Sequence, residues 1–279
     1  MNKKTMRLKL KEYMQFLKEM ERSEQTRKQY QRDIGKFIEE MKQSAVTKED
    51  VIDYKKDMQQ KYQPSSVNTK IAALNGFFEY IGRKDLRIRQ ISIQKRAYCP
   101  KERELSKREY QMLVNTARKQ GNEKLAMIIQ TICGTGIRVS ELQYITAEAV
   151  ACGEAVVRLK GKTRIILIAG KLKKRLKTYM GQRRICTGPI FVTRNQRPLD
   201  RSNIWKMMKA LCAKAGVVEK KVFPHNLRHL FAKCFYETDK DIAKLADILG
   251  HTNINTTRIY IITSSGEHSR KIDKLGLII

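Results

Sequence analysis

The sequence predicts a mainly α-helical protein with one small β-sheet. Three features predict this class. Apolar residues recur at helical spacing through residues 5–82 and again in most of the second half of the chain. An alternating, β-like pattern interrupts the helical one at residues 154–168. A basic stretch without a sustained period, residues 86–104, separates the two regions. We therefore predict an N-terminal four-helix bundle in residues 1–85, a linker, and a mixed α/β domain in residues 105–279.

Start signals and apolar stripes define the four helices of the bundle. Ser23 and Thr47 are good N-caps, and Pro64 suits the first turn of a helix. Gly82 ends the fourth helix. The apolar stripes that predict the bundle core are Met6, Leu10, Tyr13, Met14 and Leu17, then Tyr30, Ile34, Phe37, Ile38 and Met41, then Val51, Ile52, Tyr54 and Met58, and finally Val67, Ile71, Leu74, Phe77, Phe78 and Ile81.

The second domain begins with a capping box, because Glu109 follows Ser106 by three positions. A β-hairpin is predicted from residues 154–160 and 163–168, which alternate in polarity on either side of a short turn that contains Gly161. The other predicted elements are helices near 107–119, 123–133, 170–181, 202–215, 226–237, 240–249 and 255–262, and a short strand at 190–192.

The charge of the chain indicates a polyanionic partner. The 279 residues include 58 Lys and Arg against 28 Asp and Glu, a formal net charge of +30. Basic residues exceed acidic ones by 9 in residues 1–95 and by 21 in the remainder, so the excess is not confined to a tail. A cation distributed over the whole body is typical of a protein that surrounds a nucleic acid, although charge alone does not decide the matter.

The six cysteines indicate neither a disulfide framework nor a zinc site, because they are far apart and no Cys-x-x-Cys pair occurs. Most lie in apolar runs, which predicts buried free thiols in a reducing compartment. The basic N-terminus lacks an apolar stretch behind it, and nowhere do 18 apolar residues run together. These features predict a cytoplasmic location.

Three short motifs contain the side chains that phosphodiester cleavage without a metal requires. Arginine binds non-bridging phosphate oxygens through a planar, permanently charged fork. Histidine exchanges protons near neutrality, and tyrosine can form a covalent phosphoester. The residues of these types are Arg138 after two glycines, His225 and Arg228 three positions apart, His251 after Leu249-Gly250, and Tyr260.

In these motifs the chain resembles the tyrosine recombinase (phage integrase) family, and the resemblance extends over nearly the whole sequence. The residues that carry it are 134–142, 225–229 and 249–251 with Tyr260, together with 23–30 and 66–78 in the N-terminal part. The resemblance implies that the bundle is the family's core-binding, DNA-binding domain and that the second domain is its catalytic domain. The layout is similar to that of simple two-domain, Xer-like or mobile-element integrases.

The resemblance also implies roles for the reacting groups. Tyr260 is expected to be the nucleophile, in its own subunit or delivered to a neighbouring one. Arg138 and Arg228 are expected to bind the scissile phosphate and to neutralise the charge that develops on it. Glu141, one turn after Arg138, is expected to orient the site, although an ordinary helical ion pair would explain it nearly as well.

The histidines have different expected roles. By resemblance His225 takes the proton of the tyrosine, and His251 donates a hydrogen bond to the phosphate. Pro224 places His225 and Arg228 at a helix start, where free backbone N–H groups favour an anion. His225 and His229 have the spacing of a metal pair, but Asn226 stands where the zincin pattern has Glu. We therefore predict no metal site, and we interpret His229 as a packing residue.

The general acid is expected on the tip of the hairpin, where the family has a lysine. Lys160 precedes Gly161 and fits the family's Lys-Gly pattern. The turn looks about one residue shorter than the common version, which keeps Lys162 as an alternative. Exposed hairpin lysines usually contact phosphates only.

The resemblance implies a site-specific DNA recombinase that cuts and rejoins DNA through a 3′-phosphotyrosyl intermediate, for integration, excision or resolution of DNA elements. No cofactor is expected, neither ATP nor Mg²⁺. The expected partners are double-stranded DNA recombination sites, with a homotetramer on DNA and a monomer or weak oligomer when free. A type IB-like topoisomerase would use the same residues as a monomer. A non-catalytic DNA-binding relative would have lost part of the set, and here every position is filled.

Overall fold

The structure, a computed structural model, has two compact units, Met1–Lys95 and Arg96–Ile279. The division lies inside the segment predicted as a linker. Each unit has its own hydrophobic core. The residues that the structure describes are 1–41, 45–93, 104–159 and 162–261.

The first unit contains the four predicted helices. Their bounds are α1 Lys3–Glu19, α2 Glu24–Glu40, α3 Lys48–Lys61 and α4 Pro64–Tyr80, followed by a 3₁₀ turn at Lys84–Leu86. Ser23 accepts a hydrogen bond from the backbone N–H of Thr26, and Thr47 forms a capping box with Asp50. Both predicted caps are confirmed. They satisfy backbone donors that the first turn of a helix leaves unpaired.

The core of this unit follows the predicted stripes with one exception. Phe77 and Phe78 of α4 are fully buried. On α3 the buried side chains are Val51, Tyr54 and Met58. Their spacing of three and four residues directs the intervening Ile52 outward, and its prediction as a core residue is wrong, because it is 38% exposed.

The second unit is mainly helical with one hairpin, which confirms the predicted fold class. Its first elements are α5 Lys107–Lys119, α6 Glu123–Thr135, a 3₁₀ helix Val139–Tyr144, α7 Ala147–Cys152, β1 Glu154–Leu159 and β2 Lys162–Leu167. They are followed by α8 Gly170–Gln182, α9 Arg201–Ala215, a 3₁₀ turn Glu219–Lys221, α10 Pro224–Asp239, α11 Ile242–Leu249 and α12 Ile254–Ile261. The capping box of Ser106 and Glu109 is confirmed at α5. No helix in the described ranges is both long and apolar enough to cross a membrane.

The hairpin pairs β1 and β2 in antiparallel register, with Ala155 opposite Ile166 and Val156 opposite Ile165. Ala155 and Ile166 are buried, whereas Val156 and Ile165 are exposed. One face of the hairpin therefore packs on the core. Because side chains alternate along a strand, Arg164 shares the inward face with Ile166.

The predicted strand at residues 190–192 is wrong. Within the described part of the chain this region makes two isolated bridges, Thr146 to Pro189 and Val192 to Pro198. Each bridge is a single residue pair, and a short apolar run does not by itself distinguish a strand from a buried loop. The apolar run is nevertheless buried, with Ile190 and Phe191 each 1% exposed.

The described cysteines are free thiols, but they are not uniformly buried as predicted. Cys212 is buried, and Cys133 and Cys234 are half-buried. Cys152 and Cys186 are exposed, which contradicts the prediction for those two positions. Cys99 lies outside the described residues.

Candidate active site

The structure brings five of the six predicted catalytic positions into one cluster in the second unit. Arg138 precedes the first 3₁₀ helix, His225 and Arg228 lie on α10, His251 follows α11, and Tyr260 lies on α12. The rings of His225 and His251 are each 5.2 Å from the Tyr260 ring, measured between centroids. The guanidinium carbon of Arg228 lies 5.8 Å from the centroid of the same ring.

Helix α10 positions three of the side chains. It begins at Pro224, whose missing N–H costs nothing in the first turn of a helix. His225, Arg228 and His229 then lie on one face, because residues three and four apart are neighbours on a helix. Asn226, on another face, donates a hydrogen bond of 2.7 Å from Nδ2 to the Lys221 carbonyl.

Arg228 is almost completely buried, with 1% of its surface exposed. It donates from Nη1 to the Gly136 carbonyl at 2.6 Å and from Nη2 to the Leu249 carbonyl at 2.8 Å. Its Nε has no hydrogen-bond partner among the residues that the structure describes. Burial, together with the nearby Arg138, lowers the pKa of Arg228 to about 10. The guanidinium therefore stays charged at neutral pH inside the protein, where charge is most effective.

Gly136 explains why glycine precedes the first arginine of the site. It caps α6 in the left-handed conformation, with φ of +63°. A Cβ at this position would lie 2.4 Å from Cδ1 of Phe231. Both the backbone angle and the close approach thus require glycine. The turn directs the Gly136 carbonyl to Arg228 and places Arg138 two residues later.

Arg138 is the more accessible of the two predicted phosphate-binding arginines, with 43% of its side chain exposed. It caps the 3₁₀ helix Val139–Tyr144. Its Nη1 donates to Oε1 of Glu141 at 2.9 Å, and its backbone N–H donates to Oε2 at 2.7 Å. Its Nη2 approaches the Gly250 carbonyl at 3.5 Å. Glu141 thus holds one side of the Arg138 guanidinium, and the other side is exposed to solvent.

Glu141 is 2% exposed and lies between two guanidinium groups. The second belongs to Arg164 of β2, whose Nη2 donates to Oε2 of Glu141 at 2.7 Å. Its position between two cations goes beyond a simple helical ion pair. The sequence analysis did not identify Arg164. A detectable signal was its place on the hairpin face that carries the apolar Ala155, Val157 and Ile166, where arginine is unusual.

His251 lies between Arg228 and Thr257. Nη2 of Arg228 is 2.8 Å from Nε2 of His251, and Nδ1 of His251 is 2.9 Å from the Thr257 hydroxyl. Arginine can only donate, so Nε2 accepts and the ring proton is on Nδ1. Burial, followed by the charges of Arg228 and Arg138, lowers the pKa of His251 to about 4. In this arrangement His251 is neutral and Nε2 carries no proton for a phosphate. Thr257, which is fully buried, is a second residue that the sequence analysis missed.

Tyr260 is 8% exposed and points into the site of its own subunit. Its hydroxyl lies 3.3 Å from Nε2 of His225. Burial, with Arg228 and Arg138 adding to it, lowers the pKa of His225. A neutral imidazole beside a phenol can accept its proton. The pair thus has the composition and distance of a nucleophile and its base.

His229 packs on the ring of Tyr260. The two ring centroids are 4.2 Å apart and the planes are inclined by 25°, and His229 also meets His225 edge-on at 5.1 Å. Burial, followed by His225 and Arg228, lowers the pKa of His229 to about 4. A neutral, stacked ring agrees with the interpretation of His229 as a packing residue. Its neighbour is the predicted nucleophile itself.

The two lysines proposed as general acid stay predictions. Lys160 lies outside the described residues. Lys162 is the first residue of β2, where its backbone pairs with Leu159. Within the described ranges, no group of three or more His, Cys, Asp or Glu side chains could hold a metal ion.

Two family profiles match the chain. The profile of the Phage integrase family matches residues 103–266, and that of the Phage integrase N-terminal SAM-like domain matches residues 10–85. The tyrosine recombinase XerA of Pyrococcus furiosus is 28% identical to the chain over 289 aligned positions, which cover 100% of this chain and 98% of that protein. The tyrosine recombinase XerD of Halalkalibacterium halodurans is 27% identical, with coverage of 90% and 91%.

Solved structures show the same fold. A crystal structure of XerA recombinase matches with a TM-score of 0.55 and 25% identity, over 98% of this chain and 100% of that one. A lambda integrase fragment, solved as a dimer bound to a COC′ core site, matches with a TM-score of 0.73 and 17% identity, over 91% and 94% of the two chains. The family profiles together cover both units of the structure. The chain belongs to the phage integrase family, that is, to the tyrosine recombinases.

Proposed function

We propose that this protein is a site-specific DNA recombinase that cuts and rejoins DNA through a covalent bond to Tyr260. One observation carries the proposal. The Tyr260 hydroxyl lies 3.3 Å from Nε2 of His225, and its ring lies against the buried Arg228. A nucleophile, a base and a fixed positive charge are thus adjacent in one subunit.

In the proposed reaction the phenolic oxygen of Tyr260 attacks the scissile phosphorus while its proton passes to Nε2 of His225. A phosphorus–oxygen bond to tyrosine forms, and the bond from phosphorus to the 5′ oxygen breaks. That oxygen takes a proton from a general acid, Lys160 or Lys162, and leaves as a 5′-hydroxyl. A 5′-hydroxyl from a partner duplex reverses the steps, and the covalent bond conserves the ester energy between cleavage and rejoining.

Arg138 and Arg228 are proposed to bind the non-bridging oxygens of the phosphate. Their side chains converge on the same backbone, since Arg138 approaches the Gly250 carbonyl and Arg228 binds the Leu249 carbonyl. Loss of one such donor typically reduces the rate about 10²–10³-fold. Arg228 donates to two internal carbonyls and to His251, which uses three of its five N–H groups, so donors remain for a phosphate oxygen.

The proposed substrate is double-stranded DNA with a recombination site, in the cytoplasm. The net charge of +30 supports a polyanionic partner. Among similar structures, XerH is bound to its difH substrate, and lambda integrase forms a tetramer bound to a Holliday junction. We propose the corresponding assembly here, a homotetramer on two duplexes that forms from a monomer or weak oligomer.

Covalent capture tests the proposal. The protein is incubated with a pool of end-labelled, random-sequence duplexes that carry a nick, so that a short strand diffuses away after cleavage and traps the intermediate. We expect wild type to give a labelled adduct that survives denaturing electrophoresis and Tyr260→Phe to give none. Tyr110→Phe is the matched control, because Tyr110 is a half-buried phenol on α5 that packs on the main core of the second unit.

An adduct of equal yield with Tyr260→Phe would contradict the proposal. The captured duplex then serves as a defined substrate for strand exchange. A recombinase exchanges strands between two duplexes, whereas a topoisomerase relaxes a single supercoiled plasmid without a partner. The proposed function predicts strand exchange between two duplexes, and it predicts that plasmid relaxation is no faster than this exchange.

A further inference from the structure

We propose that Arg164 is a positioning residue for the two phosphate-binding arginines, an inference that rests on the proposed function. Arg164 lies on β2, and 14% of its side chain is exposed. Its hydrogen bonds to described residues do not include one to the proposed nucleophile or base. Its contacts run instead to Glu141, which holds Arg138, and to the Leu249 carbonyl, which Arg228 also binds.

The first contact divides the oxygens of Glu141 between two cations. Oε1 accepts from Nη1 of Arg138 at 2.9 Å, and Oε2 accepts from Nη2 of Arg164 at 2.7 Å. Oε2 also accepts the backbone N–H of Arg138 at 2.7 Å. A carboxylate that is 2% exposed needs all of these partners, because a buried charge without them is strongly destabilising. Without Arg164 the carboxylate would draw on Arg138 alone, and the fork of Arg138 would be less free for a phosphate.

The second contact holds the end of α11. Nη1 of Arg164 donates to the Leu249 carbonyl, which also accepts from Nη2 of Arg228 at 2.8 Å. One carbonyl thus fixes two guanidinium groups relative to each other. His251 follows two residues later, so the same contact fixes the backbone that carries His251.

Gly250 makes this close approach possible. Its φ is +64°, and a Cβ there would lie 2.6 Å from Cδ of Arg164. Any side chain would therefore push Arg164 away from the α11 terminus. The Leu249-Gly250-His251 motif therefore needs glycine at its centre because Arg164 packs against it. Arg164 lies on the hairpin, 86 positions earlier in the chain.

The charges of the cluster also support a positioning role for Arg164 and a phosphate-binding role for Arg138 and Arg228. Among the described groups, Glu141 balances one of three guanidinium charges, those of Arg138, Arg164 and Arg228. Burial lowers the pKa of Arg164, and the Glu141 carboxylate acts in the opposite direction. With Arg164 paired to Glu141, an excess of two positive charges stays available for the phosphate.

A lysine at position 164 could not reproduce this geometry. Arg164 uses Nη2 for Glu141 and Nη1 for Leu249, two donors in a rigid plane. A lysine ammonium is a single point charge on a flexible stem. Arg164→Lys should keep the charge near Glu141 while it loses the simultaneous contact to α11.

The test compares Arg164→Met and Arg164→Lys with wild type in single-turnover cleavage of the duplex captured above. Two scissile groups are used, a normal phosphate and a methylphosphonate, in which a methyl group replaces one charged oxygen. Arg175→Met is the control, because Arg175 donates to Gln130 at 2.7 Å in the same unit and lies outside the site. DNA affinity and thermal midpoint are measured for every variant.

We expect Arg164→Met to slow cleavage of the phosphate about 10–100-fold, because a misplacement of about 1 Å in the catalytic groups can cost about 100-fold. The methylphosphonate should show a slowing of less than about 3-fold, because the arginines matter less when the phosphate charge is removed. Arg164→Lys should fall between wild type and Arg164→Met and show the same pattern, which provides the test if Arg164→Met does not fold. Arg175→Met should match wild type on both substrates.

Three results would overturn the inference. Unchanged cleavage of the phosphate by Arg164→Met would remove the positioning role, and equal slowing on both substrates would indicate general structural damage. A third substrate, with sulfur in place of the 5′ oxygen, needs no general acid. If Arg164→Met cleaves this substrate at the wild-type rate but remains slow on the methylphosphonate, the inference is also overturned. Arg164 would then act through the hairpin lysine. If wild type forms no adduct at all, the proposed function itself has failed. If wild type forms the adduct and the Arg164 variants cleave as fast as wild type, only the role of Arg164 has failed.

Discussion

Nη2 of Arg228 lies 2.8 Å from Nε2 of His251, and this distance fixes the proton of the histidine. The arginine donates, so the imidazole must accept at Nε2 and carry its proton on Nδ1, where the Thr257 hydroxyl is 2.9 Å away. A hydrogen bond from Nε2 to a phosphate therefore requires the imidazole to gain a proton or change tautomer. The five residues of the site lie close together, but His251 is not in its donating form.

Thr257→Val tests this tautomer. The substitution keeps the volume but removes the acceptor for the Nδ1 proton of His251, and an unsatisfied buried donor costs about 1–3 kcal/mol. We expect nitrogen NMR of the free protein to show a protonated Nδ1 in wild type and a tautomer mixture in Thr257→Val. A wild-type ring protonated only at Nε2 would contradict the assignment.

The low pKa of His225 predicts the acid limit of cleavage. Burial and the two arginines lower this pKa below its usual value of 6.5. His225 therefore stays neutral, and able to take the tyrosine proton, as the pH falls through 6.5. The single-turnover cleavage rate should begin to fall only below about pH 6.5. If the cleavage rate instead falls to half its maximum at a pH clearly above 6.5, His225 is not the base or is not desolvated.

Because His229 is buried and stacked on Tyr260, we predict that the free energy of unfolding decreases in acid. Its pKa is about 4 in the folded protein, against 6.5 as the usual value. Between these values the unfolded chain binds more protons, so the contribution is complete above about pH 6.5 and is lost as the pH falls toward about 4. The slope for one histidine is at most about 1.4 kcal/mol per pH unit.

His229→Phe isolates this contribution, because phenylalanine keeps a ring against Tyr260 but cannot bind a proton. The free energy of unfolding in urea should fall less between about pH 7 and about pH 5 in the variant than in wild type. Equal losses in the two proteins would show that His229 is not desolvated in solution.

Gly136→Ala should damage both fold and site. The left-handed backbone and the 2.4 Å approach to Phe231 leave no room for a Cβ. We expect a loss of more than about 1 kcal/mol in the free energy of unfolding and a larger loss of cleavage than of DNA affinity. The control is Gly181→Ala in α8, where a Cβ meets nothing within 4 Å. That helical substitution should be neutral or stabilise by up to about 1 kcal/mol. Equal stability of the two variants would contradict the role of Gly136.

Much of the fold could be predicted because its signals are local. Ser23, Thr47 and Ser106 cap helices as their side chains indicate, and the alternation in residues 154–168 predicts the hairpin. The prediction failed at residues 190–192, where β pairing is limited to single bridges. Short apolar runs do not distinguish a buried loop from a strand.

The candidate site was predictable in part, for a different reason. Arg138, His225 and Tyr260 stand in recognisable motifs, so resemblance identifies them from sequence. Arg164 contacts Glu141, which is 23 positions away in the chain, and Thr257 contacts His251, which lies six positions earlier and before the start of α12. Such contacts depend on which face of a strand or helix meets which neighbour, and only the folded chain fixes that. The position of the general acid, Lys160 or Lys162, stays a prediction, because Lys160 lies outside the described residues.

The most direct measurement is peptide mapping of the covalent adduct. The captured complex is digested with protease and nuclease, and the peptide that retains a nucleotide is sequenced by mass spectrometry. We predict a single modified residue, Tyr260, joined to a 3′-phosphate with a free 5′-hydroxyl on the released strand. A nucleotide on any other side chain, or a linkage to a 5′-phosphate, would contradict the account.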